Sequence, residues 1–395
     1  AGSQKQQTWC GMYLEAIALR ADRGTSTSTI TFDRLQNDHD RMGPTLLVTG
    51  GAGFVGSSFA IHWKKRHPRS TVIALDNLKR RGSELNLPRL KQVGVQFVHG
   101  DVRQASDLLG LPHIDALVEC SAEPSVLAGY GAGSKYVVDT NLGGTVHCLD
   151  LVARDKADLV FLSTSRVYPI AAINGICQPS EDGFRIDPNV SLSGASQAGI
   201  AEDFPLDGVR SLYGATKLAS ELLITEYADM HGIRAVIDRC GVIAGPWQMG
   251  KTDQGFVLLW LARHHWDLPL QYTGFGGTGS QVRDVLHVDD LCDLVTHQLE
   301  HMDEVKGRTF NAGGGRANST TLRGFTELAE KTTGHSIPIS ASSEDRQGDL
   351  KLYITNNARI QQATGWAPKR DLNTVFSDSY TWLKEHEELL RPILT

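Results

Sequence analysis

The sequence has 395 residues, of which 41% are hydrophobic and 21% are charged, and its formal net charge at pH 7 is −6. The composition is typical of a globular protein, and the length allows two domains or one large domain with a lobe. The negative charge argues against nucleic acid as a partner, and no apolar run is as long as a membrane helix requires. Six scattered cysteines without a Cys-x-x-Cys pair indicate neither a disulfide framework nor a zinc site, and they favour a reducing, cytoplasmic compartment.

Residues 1–43 precede the alternating strands and helices that are predicted for the rest of the chain. They include a Ser/Thr run at 25–29 and a mildly apolar segment at 12–19 that Glu15 interrupts. This segment lacks the basic flank and continuous apolar core of a signal peptide. We predict a loosely ordered extension, with a packed helix over residues 11–20 as the alternative.

The segment Thr45–Gly56 reads TLLVTGGAGFVG, an apolar run followed by three glycines at three-residue spacing. It predicts a buried strand, a tight turn and the first turn of a helix, whose backbone N–H groups can approach a pyrophosphate. A glycine-rich turn without a ligand, as in any α/β protein, is the alternative. The predicted cofactor contacts in this segment are Gly50, Gly53, Phe54, Val55 and Gly56.

A second predicted strand, over residues 71–75, ends at Asp76. This is about the distance downstream of the glycines at which an acidic residue meets the adenosine ribose of a dinucleotide. A carboxylate there accepts hydrogen bonds from ribose hydroxyls and repels a 2′-phosphate, so it favours NAD over NADP. The basic residues Lys79, Arg80 and Arg81 follow closely and keep NADP as the alternative.

Three further strands are predicted at 95–101, 116–120 and 158–163, and helices alternate with them, including one at about 134–154. This alternation predicts a doubly wound parallel sheet of the Rossmann type, with right-handed crossovers. Ligands in such α/β sheets bind beyond the carboxyl ends of the strands. The remaining predicted cofactor contacts are Asn77, Asp101, Val102, Ser121, Ala122 and Asn141.

A catalytic group is predicted from Thr164, at the end of the fifth strand, and from Tyr213 and Lys217, which are four residues apart and share one face of a helix. The lysine ammonium and the positive ring of an oxidised nicotinamide both favour the phenolate, so together they lower the tyrosine pKa. Such a base can take the proton of a sugar hydroxyl while the carbon gives its hydride to the cofactor. We expect Tyr213 and Lys217 to contact the cofactor as well. A surface Tyr–Lys pair on an amphipathic helix is the alternative.

In combination these motifs resemble the extended short-chain dehydrogenase/reductases of the NAD-dependent epimerase/dehydratase family, which act on nucleotide sugars. The matching motifs are TGGAGFVG at 49–56, Asp76, Gly100-Asp101, STSRVY at 163–168 and YGATK at 213–217. The resemblance covers about residues 44–385. It implies a Rossmann domain at 44–240 and a smaller α/β lobe for the nucleotide sugar, mainly at 241–395 and interleaved with that domain. It also implies NAD as cofactor and a homodimer through helices near 134–154 and 213–230.

Finer matches resemble the branch that contains the CDP-paratose (CDP-tyvelose) 2-epimerases. They are DNLKRRG at 76–82, STSRVY at 163–168, DQG at 253–255 and QVRD at 281–284. The resemblance implies that Arg283 and Arg346 hold the diphosphate of a nucleotide-diphosphate sugar, with a CDP-deoxyhexose favoured, and guanidinium groups suit phosphate oxygens. Surface ion pairs with Asp284 or Asp349 are the alternative for these arginines. The other predicted substrate contacts are Glu123, Ser165, Arg166, Gln254 and Asp349.

The reaction class depends on the two residues after Thr164. Related dehydratases have an Asp-Glu pair there, whereas this chain has Ser165 and Arg166, and neither side chain can act as a carboxylic acid. We therefore predict epimerisation, in which a carbinol is oxidised to a ketone and the hydride returns to the other face. Inversion at C2 of a CDP-linked deoxyhexose is favoured over inversion at C4 of a UDP-hexose. An NAD-dependent sugar dehydrogenase and a dinucleotide-binding sensor without turnover remain as alternatives.

The segment 170–210 is rich in Ser, Gly and Pro, and we interpret it either as a lid over the site or as a passive surface loop. The adjacent His264 and His265 point in different directions on a helix, so we expect no metal site. Helices in the C-terminal part are predicted at about 284–301, 321–333 and 373–390.

Overall fold

The computed structural model describes residues 43–394, except 131–132, 251–253, 343 and 345. Apart from Gly43, the extension predicted at 1–43 lies outside the described residues, and so does Asp253. The strands are β1 Gly43–Thr49, β2 Ser70–Asp76, β3 Gln96–His99, β4 Ala116–Glu119, β5 Asp158–Thr164, β6 Cys177–Ser180, β7 Gly183–Ile186, β8 Ala195–Ser196, β9 Gly199–Ile200, β10 Ala235–Cys240, β11 Val242–Ala244, β12 Leu270–Thr273, β13 Val282–His287, β14 Arg308–Ala312, β15 Ser319–Thr321, β16 Ile339–Ser342 and β17 Leu352–Tyr353.

The helices alternate with the strands in the first half of the chain and cluster in the second. Short 3₁₀ turns also occur, one of them at Ser165–Val167. The α-helices are α1 Phe54–Arg66, α2 Leu87–Gln92, α3 Ala105–Leu109, α4 Ser134–Val138, α5 Gly144–Asp155, α6 Ile170–Gly175, α7 Leu212–His231, α8 Phe256–His265, α9 Val288–Glu300, α10 Met302–Val305, α11 Leu322–Thr333, α12 Ala358–Thr364, α13 Leu372–Glu385 and α14 Glu387–Leu394.

Seven parallel strands form the central sheet, in the order β14-β10-β5-β4-β1-β2-β3. The side chains of the inner strands are mostly buried on both faces, which explains the continuous apolar runs of the sequence. Helices α1 and α9 pack on one face, where Phe59 and Leu294 contact the sheet, and α5 and α7 pack on the other, where Leu149 and Ile224 do so. The predicted doubly wound Rossmann fold is therefore confirmed.

A second, smaller sheet lies in the C-terminal part and has the order β11-β13-β15, with β17 also paired to β13. Strand β14 lies between β13 and β15 in sequence but belongs to the central sheet. After residue 240 the chain therefore leaves the central sheet for the smaller one and returns to the central sheet at β14. None of the helices described, from α1 to α14, is long and apolar enough to cross a membrane.

Several predicted helices have different bounds. Residues 284–287 of the helix predicted at 284–301 belong to β13, because Asp284 pairs with β15 and residues 285–287 pair with β11. The side chain of His287 then accepts a hydrogen bond from the backbone N–H of Asp289 at the start of α9. The helix predicted at 373–390 is divided into α13 and α14. The one predicted at 134–154 contains a π-helical turn at Asp139–Gly143 between α4 and α5.

Candidate active site

The glycine turn lies between β1 and α1, at the carboxyl edge of the central sheet. Gly50 has φ +62°, and a Cβ there would lie 2.9 Å from the backbone carbon of Cys120 on the neighbouring strand. A Cβ on Gly56 would lie 2.2 Å from the carbonyl oxygen of Gly50. The glycines thus permit the turn and the close approach of helix to strand, and the first residues of α1 line a large cavity.

Asp76 ends β2 beside this turn and holds it in place. Its carboxylate accepts hydrogen bonds from the backbone N–H groups of Ala52, at 3.1 Å, and Leu78, at 2.7 Å. Burial raises the pKa of Asp76, while these backbone donors oppose that shift. Asp76 also lines the large cavity described next, and its contact with a ribose stays a prediction.

One cavity of about 1360 Å³ runs along the carboxyl ends of the central strands and under the C-terminal part of the chain. It begins at the glycine turn and Asp76, passes Thr164 and Tyr213, and reaches Arg283 and Arg346. Most of the predicted contacts line it, namely Gly50, Gly53, Phe54, Val55, Gly56, Asp76, Asn77, Val102, Ser121, Ala122, Glu123, Thr164, Ser165, Arg166, Tyr213, Gln254, Arg283, Arg346 and Asp349.

Thr164 and Tyr213 meet at the centre of the cavity. The Thr164 side-chain oxygen accepts a hydrogen bond from the backbone N–H of Arg166, at 3.2 Å, and the threonine hydroxyl also bonds the Tyr213 phenol. Burial raises the pKa of Tyr213 to about 12, and the Thr164 hydrogen bond and the Arg166 charge oppose that rise. Tyr213 lies in the first turn of α7, whose N-terminus is capped by the Ser211 hydroxyl accepting from the N–H of Gly214, at 3.2 Å.

Lys217 lies one turn further along α7 and does not line the cavity. Its side chain is 1% exposed, and the Nζ atom is 3.7 Å from the centre of the Phe161 ring. Burial lowers the pKa of Lys217, and the charge of Glu119 opposes that shift. The predicted lowering of the Tyr213 pKa by Lys217 together with the nicotinamide stays a prediction.

Two other predicted cofactor residues lie behind the cavity wall. Asp101 accepts hydrogen bonds from Asn77, at 3.0 Å, and from Arg103, whose guanidinium lowers the pKa of that carboxyl strongly. Asn141 is fully buried, accepts from the backbone N–H of Glu123, at 2.7 Å, and donates to Thr216. Both residues support side chains or backbone that line the cavity, and their direct contact with a cofactor stays a prediction.

The far end of the cavity is strongly basic. Arg283 is paired with Asp349, Nη2 to Oδ1 at 2.8 Å, so the ion pair weighed as an alternative does form, although it is buried and not at the surface. Asp284 instead accepts from the N–H groups of Gly315 and Thr355.

A third guanidinium, that of Arg166, donates to the carbonyl of Gly348, at 3.0 Å. Burial, together with the nearby charges of Arg283 and Arg346, lowers the pKa of Arg166 to about 10, and all three arginines line this end of the cavity. With Asp349 as counter-charge, this end of the cavity retains excess positive charge that suits a diphosphate.

Residues 46–313 match the family model described as the NAD dependent epimerase/dehydratase family. The chain belongs to this family. Its cofactor is therefore NAD, as predicted. The glycine turn fits a dinucleotide because Gly50, Gly53 and Gly56 line the cavity and present backbone without side chains where a pyrophosphate would approach.

Similar proteins within the family catalyse different reactions. A CDP-paratose 2-epimerase of Salmonella typhi is 28% identical over 351 residues, which are 85% of this chain and 98% of that protein. A UDP-glucose 4-epimerase of Corynebacterium glutamicum is 28% identical over 348 residues, 85% of this chain and 95% of that protein. DesIV, a dTDP-glucose 4,6-dehydratase of Streptomyces venezuelae crystallised with NAD and TYD, superposes with a TM-score of 0.71 at 28% identity, covering 88% of this chain and 99% of that one.

The structure of this family member also contains two buried carboxylates, those of Glu119 and Glu221, for which the sequence patterns predicted no role. Glu119 is buried at the end of β4, and Glu221, on α7, pairs with Arg239 of β10. Arg80 donates hydrogen bonds to Gln254 and to the carbonyl of Met249, and so ties the loop after β2 to the opposite wall of the cavity. Glu119 could have been recognised in the sequence as a carboxylate inside an otherwise apolar strand. Within the described part of the chain, no group of three or more His, Cys, Asp or Glu side chains could hold a metal ion.

Proposed function

We propose that this protein is an epimerase that inverts one carbinol of a nucleotide-diphosphate sugar, with NAD retained as a catalyst. The observation that carries the proposal is the composition of the cavity around Thr164 and Tyr213. A phenol base and a threonine hydroxyl lie there beside Arg166. Arg166 stands where the family resemblance implies a carboxylic acid in dehydratases. Dehydration needs such an acid to eliminate water, whereas epimerisation needs only removal and return of a proton and a hydride.

The residues of the protein have separate roles in the proposed epimerisation. Tyr213 takes the proton of the reacting hydroxyl and returns it after the ketone has turned its other face. Thr164 accepts the N–H of Arg166 and uses its own hydroxyl proton to hydrogen-bond Tyr213 or the sugar oxygen, so that both oxygens stay aligned. NAD, when bound, accepts the hydride of the carbinol carbon and gives it back. The glycine turn, Asp76 and Asn77 would hold it.

The substrate's diphosphate is proposed to lie against Arg166, Arg283 and Arg346. These guanidinium groups converge in the half of the cavity opposite the glycine turn. Asp349 orients Arg283 while leaving net positive charge for the phosphates. We further propose that the nucleotide is CDP and that inversion occurs at C2 of a deoxyhexose, supported by the similarity to the CDP-paratose 2-epimerase over nearly its whole length. Inversion at C4 of a UDP-hexose is the second candidate, favoured by the UDP-glucose 4-epimerase relative.

Incubation of the purified protein with CDP-, UDP-, dTDP- and GDP-sugars that carry deuterium at C2 or at C4 tests these proposals. We expect inversion at C2 of a CDP-sugar with the deuterium kept at that carbon and without consumption of added NAD. Inversion at C4 would support the second candidate. Loss of water from the sugar would establish a dehydratase, net formation of NADH a dehydrogenase, and NAD binding without any product a sensor.

We also propose a homodimer, formed by α4, α5 and α7. Large apolar side chains are exposed on two of these helices, with Leu222 64% exposed, Met230 68% and Val138 37%. Exposed apolar groups on neighbouring helices are typical of a surface that a second copy covers. Sedimentation of the wild type and of a Leu222→Arg variant tests this: we expect a dimer that the charge weakens, and a monomeric wild type would contradict it.

A further inference from the structure

Glu119 is a buried carboxylate on the middle strand of the central sheet. It ends β4 and is 1% exposed. In the sheet it lies directly opposite Thr49 of β1 and Phe161 of β5. Side chains of directly paired residues project from the same face of a sheet, so Glu119 and Phe161 face the same helices, α5 and α7.

The Lys217 ammonium approaches this face from α7. It lies over the Phe161 ring, the direct neighbour of Glu119 in the strand register. Contact with an aromatic face gives a desolvated cation part of the stabilisation that water would supply. It does not neutralise the charge, and a buried ammonium needs a counter-charge close by.

The other ionisable groups around Lys217 cannot supply that counter-charge. Burial raises the pKa of Cys120 to about 12 and the pKa values of Cys148 and Cys240 well above the ordinary thiol value, so these thiols remain neutral. Glu221, one turn further along α7, is already compensated by the guanidinium of Arg239, Nη2 to Oε2 at 2.7 Å.

Glu119 itself is held as an acceptor. Its Oε1 atom accepts a hydrogen bond from the Thr145 hydroxyl of α5, at 2.6 Å, and the Cys148 thiol is a second neighbour on the same helix. Its Oε2 atom is buried without a hydrogen-bond partner among the described residues. Burial raises the pKa of this carboxyl, and the Lys217 charge and the Thr145 hydroxyl oppose that shift, so each charge of the pair supports the other.

We infer that Glu119 is a positioning residue of the active site, whose carboxylate supplies the negative charge that keeps the Lys217 ammonium ionised one helical turn from Tyr213. The inference rests on the proposed function, because it assigns Glu119 to the tuning of the proposed base. Without the carboxylate the buried ammonium loses its counter-charge and gives up its proton more readily. If Lys217 favours the Tyr213 phenolate as predicted, Tyr213 then loses that cation and keeps only the charge of Arg166.

A Glu119→Gln variant tests this, because glutamine keeps the shape and removes the charge. The first readout is the ultraviolet difference titration of Tyr213 in the NAD-bound protein, obtained by subtracting the spectrum of the matching Tyr213→Phe protein. We expect the pKa of Tyr213 to rise by about one pH unit or more. The second readout is the pH profile of epimerisation, whose acidic limb should move upward by the same amount.

Two further variants give the test its controls. Asp238→Asn makes the same acid-to-amide change at a buried site on the opposite face of the sheet, where Asp238 accepts a hydrogen bond from Gln298. This variant should leave the pKa of Tyr213 unchanged. Thr145→Val removes the hydroxyl donor of Glu119 but keeps the carboxylate. It should give a smaller shift in the same direction, and it carries the test if Glu119→Gln does not fold.

The outcomes separate the two proposals. The role of Glu119 would be overturned if the pKa of Tyr213 were the same in the wild type and in the Glu119 and Thr145 variants. It would also be overturned if no titration of Tyr213 were resolved in any of these proteins. A titration that shifts as expected, in a protein that converts no nucleotide sugar, would support that role and contradict the proposed epimerase.

Discussion

Arg239 and Glu221 form a buried ion pair between β10 and the helix that carries Tyr213, with Nη2 of the arginine 2.7 Å and Nε 3.1 Å from the same carboxylate oxygen. Burial opposes the charge of Arg239, but its bonds to Glu221 more than compensate and raise the arginine pKa further. The Ser163 hydroxyl donates to the same carboxylate, so α7 is attached to two adjacent strands, β5 and β10. This attachment fixes the height of α7 above the sheet.

Removing one member of this pair leaves an uncompensated buried charge. We expect Arg239→Met to lower the free energy of unfolding by about 3–5 kcal/mol, and we expect the double variant Arg239→Met/Glu221→Leu to recover most of that loss. Urea unfolding measures both. Arg234 forms a half-exposed pair with Asp158, at 2.6 Å, so Arg234→Ala is the matched control and should cost less than about 1 kcal/mol. A similar loss of unfolding free energy in Arg239→Met and in Arg234→Ala would contradict this account.

Tyr213 is the proposed base, and its hydroxyl can be removed with little change in packing. We expect Tyr213→Phe to lower kcat by a factor of about 10²–10⁴ while NAD stays bound, because general base catalysis contributes on that scale. Product formation by nuclear magnetic resonance and the bound NAD content measure the two effects. The control is Tyr227→Phe on the same helix, whose hydroxyl bonds Asp150 away from the cavity, and which should keep its activity. Undiminished turnover in Tyr213→Phe would exclude a phenol base.

Local sequence patterns predicted the nucleotide-binding half of the fold well. The glycine spacing around Gly50 and the apolar run ending at Asp76 are features of single segments, so their roles in the fold can be recognised without knowing any distant contact. For the same reason the predicted central strands agree closely with β1, β2, β4 and β5.

Other features depend on contacts between distant segments and could not be predicted locally. Residues 284–287 have a pattern compatible with a helix, but pairing with residues 242–244 and with Ser319 makes them part of a strand. Glu119 looks like the polar end of a strand until the fold brings Lys217, about 100 residues later, onto the neighbouring Phe161. The segment 170–210 was predicted as a loop, yet it contains α6 and the β6–β7 and β8–β9 hairpins. Its role as a lid stays a prediction.

Arg166 is proposed to bind the diphosphate of the substrate. We expect Arg166→Met to raise KM by about 10–100-fold with a smaller effect on kcat, because a hydrogen bond to a charged group contributes roughly 1.5–3 kcal/mol. Initial rates over a range of substrate concentrations measure this. Arg185→Met, at an exposed position of the β6–β7 hairpin, is the control for loss of one positive charge. If kcat alone falls in Arg166→Met, Arg166 acts in the chemical step and not in binding the phosphates.

Asp238 predicts a pH dependence of stability that is separate from catalysis. It is fully buried in β10, its Oδ1 accepts from Gln298 at 2.8 Å, and burial raises its pKa to about 7 from an ordinary value near 3.8. Between these two pH values the folded protein binds a proton that the unfolded chain has released. The free energy of unfolding therefore falls as the pH rises from about 4 to about 7, and this contribution is constant above that range.

The expected size follows from about 1.4 kcal/mol per pKa unit, which makes the loss on the order of 4 kcal/mol. Asp238→Asn carries no charge at any pH, so urea unfolding at a series of pH values should show a flatter profile and higher stability than the wild type above pH ~7. Its glutamine partner on α9 can remain hydrogen-bonded to the amide oxygen. Equal slopes in the two proteins would mean that Asp238 is ionised in the fold at neutral pH, with a counter-charge or water reaching its Oδ2.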